Sequence, residues 1–175
     1  MKGVPYTKAL MDSKYWETVS LEQMTPAQWE AICDGCGRCC LHKFVDSEDI
    51  EDGTQPTEVE SRQGDVVYTN ISCYQLNEKT CACKSYDKRK ELVPECVTLN
   101  KENLQHINFM PPSCSYRRMH EGQGLATWHP MLNKGKKTKM HELGITVRNK
   151  VISEDKVDLE DFEDYIVTWP LSEIA

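Results

Sequence analysis

Regular alternation of hydrophobic and polar residues is confined to a few short stretches of this chain. In VVYTNIS, Val67, Thr69 and Ile71 alternate with Val66, Tyr68 and Asn70, a period of two that predicts a strand. Thr25, Pro26 and Gln28 form a helix start: an N-cap, a proline in the first turn and a capping-box glutamine. That helix presents Trp29 and Ile32 on one face and ends at Cys33, where Asp34-Gly35 stops it. Leu159, Phe162 and Ile166 fall at i, i+3 and i+7 among acids and predict a C-terminal acidic helix over about 157–168, closed by Trp169-Pro170.

Weaker patterns fill the rest. Residues 1–24 read as a loosely structured lead-in, with a short helix in WETVSLEQM turning Trp16, Val19 and Met24 inward. Asn77 to Thr80 predicts a hairpin turn leading into Cys81 and Cys83. Short helices are expected over Tyr86–Leu92, stopped before Pro94, and over Leu99–His106, with Asn100 near its cap. Pro111-Pro112 predicts an extended approach to Cys114. HEGQGLATWHPML reads as turns around a buried Trp128, and Ile145 to Ile152 as a small strand or hairpin. There is no repeat, heptad or domain-sized linker, so 1–175 reads as one domain.

Composition sharpens this reading. Hydrophobic residues make up 39% of the 175 residues, a share that predicts a thin core. The net charge of −7 is uneven: the stretch 46–65 carries −7 and reads as an acidic surface loop, and 154–164 carries −6. The rest holds a small basic excess that includes Lys134, Lys136, Lys137 and Lys139, narrower than a nucleic-acid footprint. Solvated faces are the plain reading of all three segments. The N-terminus lacks the apolar run of a signal peptide, and no stretch approaches a membrane span, so a cytoplasmic protein without a membrane partner is expected.

Against that background the nine cysteines stand out. Disulfides are disfavoured among reduced thiols, and clustered cytosolic cysteines point to metal or redox chemistry. Four of them lie in CDGCGRCC, residues 33–40. Cys33, Cys36 and Cys39 recur every third residue and can converge on one site, with glycines allowing the backbone to bend. Adjacent side chains diverge, so Cys40 faces a second metal, bridges two metals, or packs in the core. Cys73, Cys81, Cys83, Cys96 and Cys114 supply further thiols, since four-thiolate zinc and most iron–sulfur clusters each take four. His42 is the first candidate among the histidines, His129 the second, and Arg117-Arg118 could neutralise a thiolate cluster or simply lie on the surface. No phosphate loop, dinucleotide turn or serine-nucleophile elbow is present, so any enzyme activity would come from the metal centre.

CDGCGRCC fits Cys-x-x-Cys-x-x-Cys-Cys and resembles the signature of the bacterial YcgN/YkgJ cysteine-cluster family, described as zinc- or iron-chelating proteins. WEAICDGCGRCCLHK, YTNISCYQL, KTCACKSY, PECVTL, PPSCSYR and WHPML also look like YcgN-type sequence, in the same order, from Trp29 to Arg148. All nine cysteines fall in these phrases, which makes the isolated Cys96 and Cys114 ligand candidates too. The acidic loop looks longer than its counterpart in typical relatives. The resemblance implies a cytosolic protein holding zinc or iron, mononuclear, binuclear or in an iron–sulfur cluster. A more distant similarity to flagellin lysine methylase, associated with an iron–sulfur centre, implies an alternative: a cluster-dependent redox or group-transfer enzyme. The expected fold is α+β: a small, irregular, metal-stapled domain of short helices and one or two short β-hairpins.

Overall fold

A computed structural model describes residues 6–45 and 66–172, so the acidic loop expected over 46–65 lies outside the described residues. The fold is α+β. Its helices are α1 (Lys8–Ser13), α2 (Pro26–Ile32), α3 (Arg89–Leu92), α4 (Ser115–His120) and α5 (Thr138–Glu142). Its strands are β1 (Leu41–Val45), β2 (Val66–Ser72), β3 (Leu76–Asn77), β4 (Ala82–Cys83), β5 (Ile152–Ser153) and β6 (Ile166–Val167). Single turns of 3₁₀-helix link many of them. Among the described residues no helix is long and apolar enough to cross a membrane.

β2 organises the larger sheet. It pairs antiparallel with β1 on one side, and with β5 (parallel) and β6 (antiparallel) on the other. Both of its faces are covered: Val66, Tyr68 and Ser72 are buried on one, and Thr69 and Ile71 on the other. The register shifts between Leu41 and Lys43, a bulge where the carbonyl of His42 accepts from the Thr69 hydroxyl at 3.0 Å. The expected hairpin is present: Asn77 pairs with Ala82 and Leu76 with Cys83, and Asn77 Oδ1 accepts from the Lys79 and Thr80 amides.

The helix start at Thr25 forms as the sequence predicts. Thr25 accepts from the Gln28 amide and the Gln28 side chain accepts from the Thr25 amide, a complete capping box with Pro26 in the first turn. The helix buries Trp29, Ala31 and Ile32 and delivers Cys33 at its C-cap. The short helix over 86–92 is also present, as a 3₁₀ turn running into α3.

Four expectations change. The lead-in is structured: Thr7 caps α1, the Tyr6 hydroxyl donates to the Cys33 carbonyl at 2.7 Å, and WETVSLEQM makes two 3₁₀ turns rather than one helix. Asn100 caps no helix. Its side chain accepts from the Glu102 and Asn103 amides in a local turn, and a 3₁₀ segment over Leu104–Phe109 follows instead. Between Ile145 and Ile152 the chain is turns, and only Ile152 enters a strand. The C-terminal segment is a kinked 3₁₀ helix over Leu159–Tyr165, and Ile166 then joins β6. Spacing of i and i+3 suits three residues per turn as well as 3.6. Phe162 faces inward, stacked on Phe44 with ring centroids 4.0 Å apart, whereas Leu159 and Ile166 are exposed.

The core is thin and divided. One cluster centres on Tyr68, Ile32, Ile107 and Val147. A smaller one gathers Trp128, Met140, Ile145, Ala126 and Cys36. Trp128 is fully buried within turns, as expected. Arg38 ties distant segments together: its guanidinium, 1% exposed, donates to the Ile145 carbonyl (2.7 Å), the Ser113 hydroxyl (2.8 Å) and the Pro170 carbonyl (3.0 Å). It also lies 5.3 Å from the Trp169 ring centroid.

Replacing Arg38 strands these buried acceptors. Arg38→Ala is expected to cost about 3 kcal/mol in urea unfolding, and Thr25→Ala about 1 kcal/mol through loss of the cap. An Arg38 variant as stable as the parent would show that the anchor does not hold the fold.

Candidate metal centre

CDGCGRCC folds as a tight loop that begins at the end of α2 and ends in a 3₁₀ turn over Arg38–Cys40 before β1. Gly37 makes the turn possible. Its φ is +84°, and a Cβ there would stand 2.7 Å from the Val147 side chain. Asp34, 2% exposed, braces the loop from inside: Oδ1 accepts from the Cys36 amide at 2.8 Å, and Oδ2 accepts from the Ser115 hydroxyl at 3.0 Å. That second bond fixes the start of α4, and therefore Cys114, against the loop. The Tyr116 hydroxyl donating to the Trp29 carbonyl at 3.0 Å reinforces the contact.

The structure brings all nine cysteines to the wall of one cavity of about 550 Å³, with none in a disulfide. Cys36, Cys81 and Cys114 are buried, Cys39 is exposed, and the others lie between. Cys39 and Cys40 are in sulfur–sulfur contact at 3.9 Å. Among the described residues no three His, Cys, Asp or Glu side chains stand close enough together to hold one ion as they are, so the thiols line a shared space rather than a closed cage.

Backbone donors already point at several sulfurs. The Gln75 amide donates to Cys73 Sγ at 3.4 Å. The Gly35 amide serves Cys33, the Arg38 amide Cys36, and the Arg117 and Tyr116 amides Cys114. Such donors stabilise a thiolate. Burial acts the other way and dominates: it pushes the Cys33 and Cys36 thiols well up, with the Asp34 carboxylate adding to the shift, and raises Cys114 from 9.0 to about 12. Cys39 is the exception. Its contact with the Cys40 sulfur holds its pKa down, while Cys40 is driven up by the same contact.

The other candidates fall differently. His42 Nε2 meets Glu154 Oε2 at 2.7 Å, and Glu154 Oε1 accepts from the Tyr74 amide, so this ring faces a carboxylate at the cavity edge. His129 is fully buried: Nδ1 accepts from the Met131 amide and Nε2 donates to the Ile32 carbonyl at 2.9 Å, leaving no nitrogen for a ligand. Arg117 is not a surface residue. It is buried and donates to the Met110 carbonyl at 2.7 Å and to Glu121.

The sequence reading missed Lys43, Asp34 and Arg38. The Lys43 ammonium donates to the Leu41 and Cys39 carbonyls at 2.7 and 3.0 Å, and its charge favours ionisation of both Cys39 and Cys40. Its place directly after CCLH was the available signal. Asp34 and Arg38 sit inside the motif itself, in positions that read as spacers.

The CxxCxxCC family model, described as "Putative zinc- or iron-chelating domain", matches residues 32–115. A UPF0260 protein of Shewanella denitrificans is 44% identical over 160 residues, covering 91% of this chain and 98% of the relative. One from Shewanella frigidimarina is 43% identical over 164 residues, covering 94% and 99%. One from Rhizobium meliloti is 41% identical over 160 residues, covering 91% and 94%. No solved structure matches the chain.

Gly37→Ala is expected to destabilise the fold by about 2 kcal/mol, from the left-handed φ alone, and more if Val147 cannot yield. Thermal unfolding of the variant against the parent measures it. The buried thiols also set a pH dependence. A thiol whose folded pKa is raised stabilises the fold below its unfolded value and loses that contribution as pH rises through the folded value. With Cys114 raised from 9.0 to about 12, the metal-free protein should lose stability steadily across that interval, as read by denaturant unfolding from pH 8 upward.

Proposed function

The chain belongs to the UPF0260 family, and on that premise we propose that it is a metal-binding protein whose cysteine thiolates hold zinc or iron. One observation carries the reading: nine cysteines drawn from Cys33 to Cys114 all reach a single cavity wall. The donor set fits a soft metal, since it consists of thiols supported by amide donors and by the Lys43 cation. A bound metal would take Cys33, Cys36, Cys39, Cys40, Cys73, Cys83, Cys96 and Cys114 as its candidate ligands and would join α2, β2, the β3–β4 hairpin and α4. Metal binding would thus add to the stability of a fold with a divided core. A reducing compartment such as the cytoplasm suits a protein with this many free thiols.

The size of the cavity favours a second reading. At about 550 Å³ it falls in the range of small-molecule sites, well beyond the needs of one ion, and Trp29, Tyr86, Phe109 and Tyr116 line it beside the thiols. An enzyme in which the metal or cluster acts on a bound organic molecule would use that space.

Protein purified without air is expected to contain stoichiometric zinc or iron by elemental analysis. The visible spectrum of the same sample separates the cases: zinc is colourless, whereas an iron–sulfur cluster absorbs and bleaches on reduction. Removing the metal with a chelator should lower stability by about 4 kcal/mol relative to protein held at a free metal concentration a thousandfold above Kd. Absence of metal, with all thiols freely reactive in the folded protein, would overturn the proposal.

A further inference from the structure

We propose that Cys39 and Cys40 form a peroxide-reactive dithiol: the Cys39 sulfur makes the first attack, Cys40 resolves it, and a disulfide closes between the two neighbours. The pairing needs only these two thiols. The loss of metal that follows from it rests on the thiolate binding proposed above.

Side chains of adjacent residues ordinarily diverge. In the 3₁₀ turn over Arg38–Cys40 the two sulfurs are instead in contact, at 3.9 Å. Among the described residues no other two cysteine sulfurs touch, although all nine cysteines line one cavity. The peptide between the pair is held at both of its polar ends. The Cys39 carbonyl accepts from Lys43 Nζ at 3.0 Å, and the Cys40 amide donates to the Gly37 carbonyl at 3.0 Å. On the far side the Cys73 amide donates to the Cys40 carbonyl at 2.9 Å. The backbone that carries the two thiols is therefore pinned. Side-chain rotation and a small adjustment of the turn separate the 3.9 Å contact from a sulfur–sulfur bond of about 2.0 Å.

Exposure separates the roles. Cys39 is the exposed thiol of the nine, whereas Cys40 is half-buried. An oxidant small enough to enter the cavity therefore meets Cys39 first. The Cys39 thiolate attacks one oxygen of hydrogen peroxide. An S–O bond forms, the O–O bond breaks, and the other oxygen leaves as hydroxide, which takes up the proton the thiol gave up and becomes water. The Cys40 sulfur then attacks the sulfenic sulfur of Cys39. The S–S bond forms, the S–O bond breaks, and the hydroxyl departs with the Cys40 proton as a second water. Both sulfurs are oxidised and one peroxide is reduced.

The product is easily reopened. Adjacent Cα atoms stand about 3.8 Å apart across a trans peptide, less than the roughly 4.4–6.8 Å that a relaxed disulfide spans. The small ring closed through that peptide is strained and yields readily to a dithiol, as suits a reversible modification rather than a structural crosslink. While closed, it withdraws two sulfurs from metal binding, because a metal takes the thiolate form.

Trypsin isolates the pair for the test. Cleavage after Arg38 and after Lys43 releases Cys39 and Cys40 together in CCLHK, and every other cysteine falls in a different peptide. The full chain, reduced and stripped of metal without air, is treated with one equivalent of hydrogen peroxide, alkylated and digested. CCLHK is expected to have lost two hydrogens and to carry no alkyl group, and reduction with dithiothreitol before alkylation should restore two alkylated cysteines. In urea, where the turn is lost, the yield of this oxidised peptide should fall several-fold as oxidation spreads to other cysteines. CCLHK that stays doubly alkylated, or that is joined to a second cysteine peptide, overturns the pairing. An unchanged yield in urea overturns the part played by the fold. Dimedone, which traps sulfenic acid, should label Cys39 in Cys40→Ser, and equal labelling of Cys40 in Cys39→Ser overturns the assigned roles. Zinc retained by the reduced and by the peroxide-treated chain is then compared. The oxidised chain should hold several-fold less and recover it once reduced again. Equal zinc in both forms overturns the consequence for metal while the disulfide stands, and no zinc in either overturns the metal-binding function alone. The result on the parent peptide holds whether or not a serine variant folds.

Discussion

A guanidinium with no access to water cannot be left without acceptors, and Arg38 resolves that requirement by drawing three remote segments onto the cysteine loop. Its partners, Ile145, Ser113 and Pro170, belong to the turns after α5, the approach to α4, and the C-terminal turn. The loop is therefore anchored by a charge that must stay paired. Asp34 does the complementary job on the thiol side. Between them, two charged residues inside CDGCGRCC hold a short loop in place where a thin core supplies little else.

Both apolar clusters contribute cysteines to the cavity wall. Cys36 belongs to the cluster around Trp128, whereas Cys114 and Cys81 belong to the one around Tyr68. Water penetrates such a space unless something occupies it, and the burial that raises most of the thiol pKa values keeps them neutral until a cation arrives.

What was legible in the sequence was local. The capping box at Thr25, the strand VVYTNIS and the hairpin before Cys81 rest on contacts within a few residues, and all three are present. The cysteine loop was readable as a site because four thiols in eight residues have few other uses. The expected C-terminal helix is present as a 3₁₀ helix over Leu159–Tyr165, and its end came earlier than expected because the pairing of Ile166 with Thr69 is a tertiary fact. Asp34, Arg38 and His129 were unreadable for the same reason: every partner that fixes Arg38 lies at least 75 residues away, and His129 reaches 97 residues to Ile32. Polar residues within a motif look like spacers until their distant partners are known.

The bond between Asp34 and Ser115 also has a meaning in time. A ribosome releases Cys33 to Cys40 long before Cys114, and the brace cannot form until α4 has emerged. Through that interval the Cys33–Cys36 turn has the Tyr6 hydroxyl on the Cys33 carbonyl but lacks the brace that Ser115 supplies through Asp34. The loop and Cys114 therefore come into register only after 81 further residues separate Asp34 from Ser115 in the growing chain.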